Sequence, residues 1–179
     1  MKTIQNLVVF FLTAFVLVSC GPSKSDMQQE ITQNEEALFA GEAKGIDKGK
    51  AALLINSYVQ YADAFPEDSM SPDYLFRAAD ISMNIFESGQ AIDLYNRIIN
   101  NYPEYEKVPQ CVFLKAFVYE NNLNDLNSAK KYYKEFLAKY PDDEFADDAE
   151  MSLQNLGKSP EELIKEFEAK MKEQEEKGS

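Results

Sequence analysis

At 179 residues the chain has the size of one ordinary domain, and 31 Asp+Glu against 18 Lys+Arg give it a formal charge of −13. That balance sets nucleic acid aside as a partner and disfavours anionic membrane faces. The absence of histidine removes His-based triads and His-ligated metal sites, seven glycines leave little for phosphate-cradling loops, and 45% hydrophobic residues rule out wholesale disorder.

In chain order, the first element is Met1-Lys2-Thr3 followed by an apolar run from Leu7 to Val18. One positive charge, about a dozen apolar residues and a small residue ahead of a cut make a secretory signal, expected to occupy residues 1–19 and to be removed. The run is too short for a resident membrane helix, which needs ~20 apolar residues. Leu17-Val18-Ser19-Cys20 resembles a lipobox, the site at which bacterial lipoprotein processing acylates a cysteine and cleaves before it. The resemblance implies that Cys20 becomes the first residue and carries the lipid; the alternative is a secreted protein whose cysteine falls there by chance. Residues 20–26 then read as the lipidated cysteine and a flexible tether. With Cys20 so used, Cys111 has no intramolecular partner, and its apolar surroundings Val112-Phe113-Leu114 make it a small buried hydrophobe.

From residue 27 to 157 the chain repeats. Phe65-Pro66, Tyr102-Pro103 and Tyr140-Pro141 lie 37 and 38 residues apart. Twelve residues before each proline stand Leu54, Ala91 and Ala129; eight before, Tyr58, Tyr95 and Tyr133; five before, Tyr61, Ile98 and Phe136. A fixed period of this size signals a helical array. Between the prolines the apolar positions recur at three- and four-residue steps, and each such helix stops ahead of its proline. The segments Pro72–Phe86 and Pro109–Asn122 are expected to be the first helices of their pairs, Ser71 capping the former. Ala78, Ala116 and Ala149 supply small residues for close helix approach. The fold class is therefore all-α: a right-handed solenoid of three to four antiparallel helix pairs.

Ala91, Tyr95 and Pro103, and again Ala129, Tyr133 and Pro141, resemble the second-helix signature of tetratricopeptide repeats. Leu123-Asn124-Asp125-Leu126 is similar to the turn of that motif, with Asn where Gly is usual. The period is longer than the consensus and the first helices lack its Trp. In these departures the chain resembles bacterial envelope lipoproteins of the BamD and CpoB/YbgF types. That resemblance implies a lipid-anchored scaffold that binds a segment of another envelope protein, in outer-membrane protein assembly or envelope organisation. Gly21 follows Cys20 where some bacteria place Asp to keep a lipoprotein in the inner membrane, which favours the outer membrane and its periplasmic face.

Residues 158–179 read as a capping helix with a frayed tail. Ser159-Pro160-Glu161-Glu162 supplies the start signal, and Leu163, Ile164, Phe167 and Met171 share one side. A second reading makes this helix a docking element for another protein.

No catalytic constellation emerges, so the chain is read as a binding protein rather than an enzyme, with no cofactor and no metal. Three features are candidate partner contacts. Asn84, Asn122 and Asn155 each lie six residues after a repeat alanine, a spacing that would align their amides in a column; the plainer explanation is that Asn suits helix ends. Arg77 and Lys115 each precede a repeat alanine and could share a face toward an acidic partner, although Asp148 breaks that row. The many tyrosines fall mostly on core offsets. The expected partners are another envelope protein and the membrane through the lipid, with the chain itself a monomer. The alternative function is a lipoprotein that captures a solute or glycan.

Overall fold

The computed structural model describes residues 21–40 and 45–177, and the expected signal sequence and Cys20 lie outside them. The described residues form eight α-helices: α1 Lys24–Phe39, α2 Lys48–Ala64, α3 Met70–Asn84, α4 Ser88–Asn101, α5 Val108–Phe117, α6 Leu126–Lys139, α7 Ala146–Asn155 and α8 Pro160–Lys177. A π-helical turn, Val118–Asn122, extends α5. The chain is a helical-hairpin solenoid in which helices α1 to α7 pack in sequence, each on the one before it. None of the described helices is long and apolar enough to cross a membrane.

The nine residues that define the repeat are its core. Leu54, Ala91, Ala129, Tyr58, Tyr95, Tyr133, Tyr61, Ile98 and Phe136 are all at most 2% exposed. Ala78, Ala116 and Ala149, on α3, α5 and α7, are fully buried, as close approach of neighbouring helices requires.

The prolines repeat a backbone device as well as a letter. Phe65, Tyr102 and Tyr140, each just before a proline, take nearly one conformation, with φ −131°, −131° and −132° and ψ 61°, 58° and 58°. Their amides donate to the carbonyls of Tyr61, Ile98 and Phe136. Their own carbonyls accept from Asp68, Tyr105 and Asp143, whose carbonyls in turn accept from Ser71, Val108 and Ala146. Proline ends the helix because its ring restricts the residue before it. Two linked turns then start the next pair in the same orientation.

The other turn, inside each pair, carries a second repeated device. Phe86, Asn124 and Gly157 lie eight residues after Ala78, Ala116 and Ala149, and all three have positive φ, 64°, 52° and 79°. At Phe86 the Glu87 amide donates to Ser82 and the Phe86 amide to Met83, the paired bonds of a Schellman motif. Gly157 also meets a close neighbour, since a Cβ there would stand 3.0 Å from Leu126 Cδ1. The sequence register continues into α7 and α8, but α8 does not pack on α7 as α2, α4 and α6 pack on the first helices of their pairs.

Four expectations need correction. Helix α1 starts at Lys24, inside the segment expected to be tether, because Ser23 and Asp26 form a reciprocal capping box there. Helix α3 starts at Met70, and the Ser71 hydroxyl donates to the Phe65 carbonyl at 2.6 Å instead of capping a helix that begins at Pro72. Helix α8 does begin at Pro160, with Ser159 Oγ accepting from the Glu162 amide, but it remains helical to Lys177 where fraying was expected. Its Glu-, Lys- and Gln-rich sequence is strongly helix-forming. Nor does it cap the solenoid: Ile164 is 60% exposed, Phe167 65% and Met171 46%.

Candidate partner-binding surface

The first helices of the pairs, α1, α3, α5 and α7, supply one continuous face with two open clefts. One, of about 440 Å³, lies between α1 and α3 and is lined by Glu35, Phe39, Tyr58, Arg77, Asp80 and Ile81. The other, of about 570 Å³, runs across α3, α5 and α7. Met83, Phe113, Leu114, Phe117 and Met151 make it apolar, and Glu120, Asp148, Ser152 and Asn155 add polar groups. Phe39, Phe117 and Met151 are exposed large hydrophobic residues on this face.

A repeated polar clamp holds the face to the helices behind it. The buried repeat tyrosines each donate to a carboxylate on the first helix of their own pair: Tyr58 to Glu35 at 2.5 Å, Tyr95 to Asp80 at 2.7 Å and Tyr133 to Glu120 at 2.7 Å. Burial, reinforced by the neighbouring carboxylate, pushes all three phenols above their ordinary range. Each ring fills the core while its hydroxyl fixes one acidic side chain of the open face. Burial also raises the Asp80 carboxyl, against the opposing pull of the Tyr95 hydroxyl and Lys107.

Arg77 does lie on this face. Its guanidinium meets Glu35 at 3.0 Å, so the Tyr58 hydroxyl and Arg77 share one carboxylate. Lys115 occupies the same register in the next repeat but points elsewhere. It is 7% exposed, donates to Asn96 Oδ1 on α4 at 3.1 Å, and lies 3.9 Å from the centre of the Tyr132 ring on α6. Burial lowers its pKa. The two cations therefore do not share a face, because Lys115 is enclosed by a side-chain amide and an aromatic ring that receive it.

The asparagines do not present a row of free amides. Asn84 donates to the Asp80 carbonyl of its own helix at 2.8 Å. Asn122 donates to the Met83 carbonyl at 3.0 Å, a second bond to the acceptor that already receives the Phe86 amide at the end of α3. The plainer explanation of Asn at helix ends accounts for both. Asn155 differs: it ends α7 and lines both the 570 Å³ cleft and a third one, of about 420 Å³, with Leu163, Ile164, Glu166 and Phe167 of α8. Cys111 is buried on α5 and its thiol is pushed up to about 12 by that burial, so it is a packing residue.

Sequence reading missed Phe39, Phe117, Met151 and the clamped carboxylates. Glu120 stands four residues after Ala116, whereas Asp80 stands two after Ala78, so no shared offset marks them. The available signal was the tyrosine at a fully buried position, whose hydroxyl must find an acceptor.

Against curated proteins the chain gives no match. Residues 73–105 and 110–143 match the model of the tetratricopeptide repeat. These segments cover the pairs α3–α4 and α5–α6, including the alanines, tyrosines and prolines of the period. Over these residues the chain is similar to tetratricopeptide repeats.

Proposed function

We propose that the chain is a lipid-anchored scaffold of the bacterial cell envelope, held through Cys20, that binds a segment of another envelope protein on the face of α1, α3, α5 and α7. Tetratricopeptide repeats are protein-interaction scaffolds. The observation that carries the reading is the 570 Å³ cleft, whose lining suits an apolar side chain and whose Glu120 and Asp148 suit a Lys or Arg beside it. The placement at the outer membrane, in protein assembly or envelope organisation, follows from the lipobox-like residues, Gly21 and the long-period repeats.

Two measurements test it. Metabolic labelling with an alkyne fatty acid should mark the wild-type chain and not a Cys20→Ala chain; equal labelling removes the anchor. Crosslinking in envelope membranes should capture one defined protein with wild type and lose it with Phe117→Glu/Met151→Glu while helicity is unchanged. Capture that survives both changes places the contact off this face.

A further inference from the structure

The three clamped carboxylates of the open face are not equivalent. Glu35 is already satisfied: Tyr58 and Arg77 both donate to its Oε1, and Arg77 neutralises it. Asp80 and Glu120 each receive one tyrosine hydroxyl, Asp80 on Oδ1 and Glu120 on Oε2. Neither forms an ion pair among the described residues. Their second oxygens, Asp80 Oδ2 and Glu120 Oε1, receive no hydrogen bond there either. Both side chains are half-buried, yet no fully buried side-chain oxygen among the described residues lacks a partner, so these two oxygens touch solvent.

The two carboxylates open into different clefts. Asp80 lines the one between α1 and α3 with Phe39 and Ile81, and Glu120 lines the one across α3, α5 and α7 with Met83 and Phe117. Asp148, in the second cleft, is exposed and adds charge without a clamp to direct it. A half-buried carboxylate without a cation has lost part of its hydration, and a charge-assisted hydrogen bond from lysine or arginine restores what it lost. The tyrosine holds each acceptor in place beforehand, so little side-chain freedom is given up when the cation arrives. The face has no cation of its own to offer, because Arg77 is paired with Glu35 and Lys115 turns to Asn96. A second copy of the chain, at −13, meets the face with net repulsion, so charge selects a basic partner.

Resting on the reading of this face as the partner surface, we infer that its occupant is a basic-apolar segment of another protein with two lysine or arginine side chains. One cation meets Asp80, the other meets Glu120 one repeat further on, and an apolar side chain fills the cleft of Met83 and Phe117.

The test uses the purified full chain and three labelled synthetic peptides, each with two lysines separated by two, three or four leucine and valine residues, read by fluorescence anisotropy. At least one should bind wild type and weaken at least tenfold in Asp80→Asn/Glu120→Gln, whose amides keep an acceptor for each tyrosine, with helicity by circular dichroism unchanged. Asp142→Asn/Glu144→Gln removes the same charge from an exposed turn and should bind as wild type does. The inference fails if no peptide binds wild type, or if the turn variant loses as much affinity as the cleft variant, which would make bulk charge the attraction. It also fails if peptides with glutamate for lysine bind equally well. Crosslinking in envelope membranes separates this inference from the reading it rests on. Capture lost in Phe117→Glu/Met151→Glu but kept in Asp80→Asn/Glu120→Gln overturns the basic segment and leaves the face standing, whereas capture kept in both removes the face and this inference with it.

Discussion

Helices α6 and α8 each follow a turn with a left-handed residue, yet one is core and the other is surface. In α6, Ala129, Tyr133 and Phe136 are fully buried, and Tyr133 also anchors Glu120. In α8, Phe167 is 65% exposed on a strip of the same helical spacing. Both have one apolar side and both follow a left-handed residue, Asn124 and Gly157. What separates them is their neighbours: α6 packs between α5 and α7, whereas α8 packs closely neither on α7 nor on any later helix among the described residues. An apolar stripe specifies that a helix will pack, but its partner has to come from elsewhere in the fold or from another molecule.

The sharpest break of that comparison is paired truncation. Phe136→Ala should cost about 3–5 kcal/mol because it opens a cavity in a closed core. Phe167→Ala should stay within about 0.5 kcal/mol in the isolated chain. Urea unfolding of both variants measures the contrast. A large loss at Phe167 would show that α8 is packed in solution and would restore the capping role.

Lys115 and Arg77 extend the comparison to one register position in two repeats. Lys115→Glu places a carboxylate against the Tyr132 ring and the Asn96 carbonyl oxygen, and should cost about 3 kcal/mol. Arg77→Ala removes a partly exposed ion pair with Glu35 and should cost about 0–1 kcal/mol. Thermal melts of the two variants decide it; similar losses would mean that the buried lysine is no more constrained than the surface arginine.

These pairs show what could be read from the letters. The repeat was legible because its positions are limited by size and backbone: small residues at helix crossings, tyrosine in the core, proline after each second helix. Direction was not. Arg77 and Lys115 share an offset, but only the three-dimensional neighbours Glu35, Asn96 and Tyr132 decide where each cation points. Asn122 looked available because a backbone carbonyl 39 residues away, that of Met83, cannot be seen in a local pattern. The apolar side of α8 reads alike whether it caps its own solenoid or awaits another protein.

The tyrosine clamps allow a smaller, pH-dependent test. Tyr95→Phe leaves the half-buried Asp80 without its hydroxyl donor and should cost about 1–2 kcal/mol. Burial raises the Asp80 pKa in the folded chain, so the folded state binds that proton more tightly than the unfolded one. The sign follows: stability from this group is greatest below the ordinary carboxylate pKa and falls as pH rises through the folded value. Asp80→Asn keeps an acceptor for Tyr95 and removes the titration. Its stability relative to wild type should therefore be more favourable at about pH 7 than at about pH 3, in matched urea titrations. An unchanged difference would mean that Asp80 ionises as easily folded as unfolded.

The smallest expected effect separates the three intra-pair turns. Asn124 and Gly157 are residues that accept positive φ readily, but Phe86 holds φ 64° with a bulky side chain that is 72% exposed. The left-handed conformation costs a residue with a Cβ roughly 1–2 kcal/mol, and an exposed ring returns little of it through packing. Glycine relieves the strain at Phe86, although it also gains more freedom in the unfolded chain, which offsets part of the benefit. The net expectation for Phe86→Gly is a stabilisation of about 0.5–1 kcal/mol, seen as a higher urea midpoint with unchanged slope. Gly157→Ala should move the other way, since it adds a Cβ at φ 79° that meets Leu126 Cδ1 at 3.0 Å. If Phe86→Gly instead destabilises, the ring is packing in solution against something that offsets the strain, and the turn after α3 becomes part of the core rather than its edge.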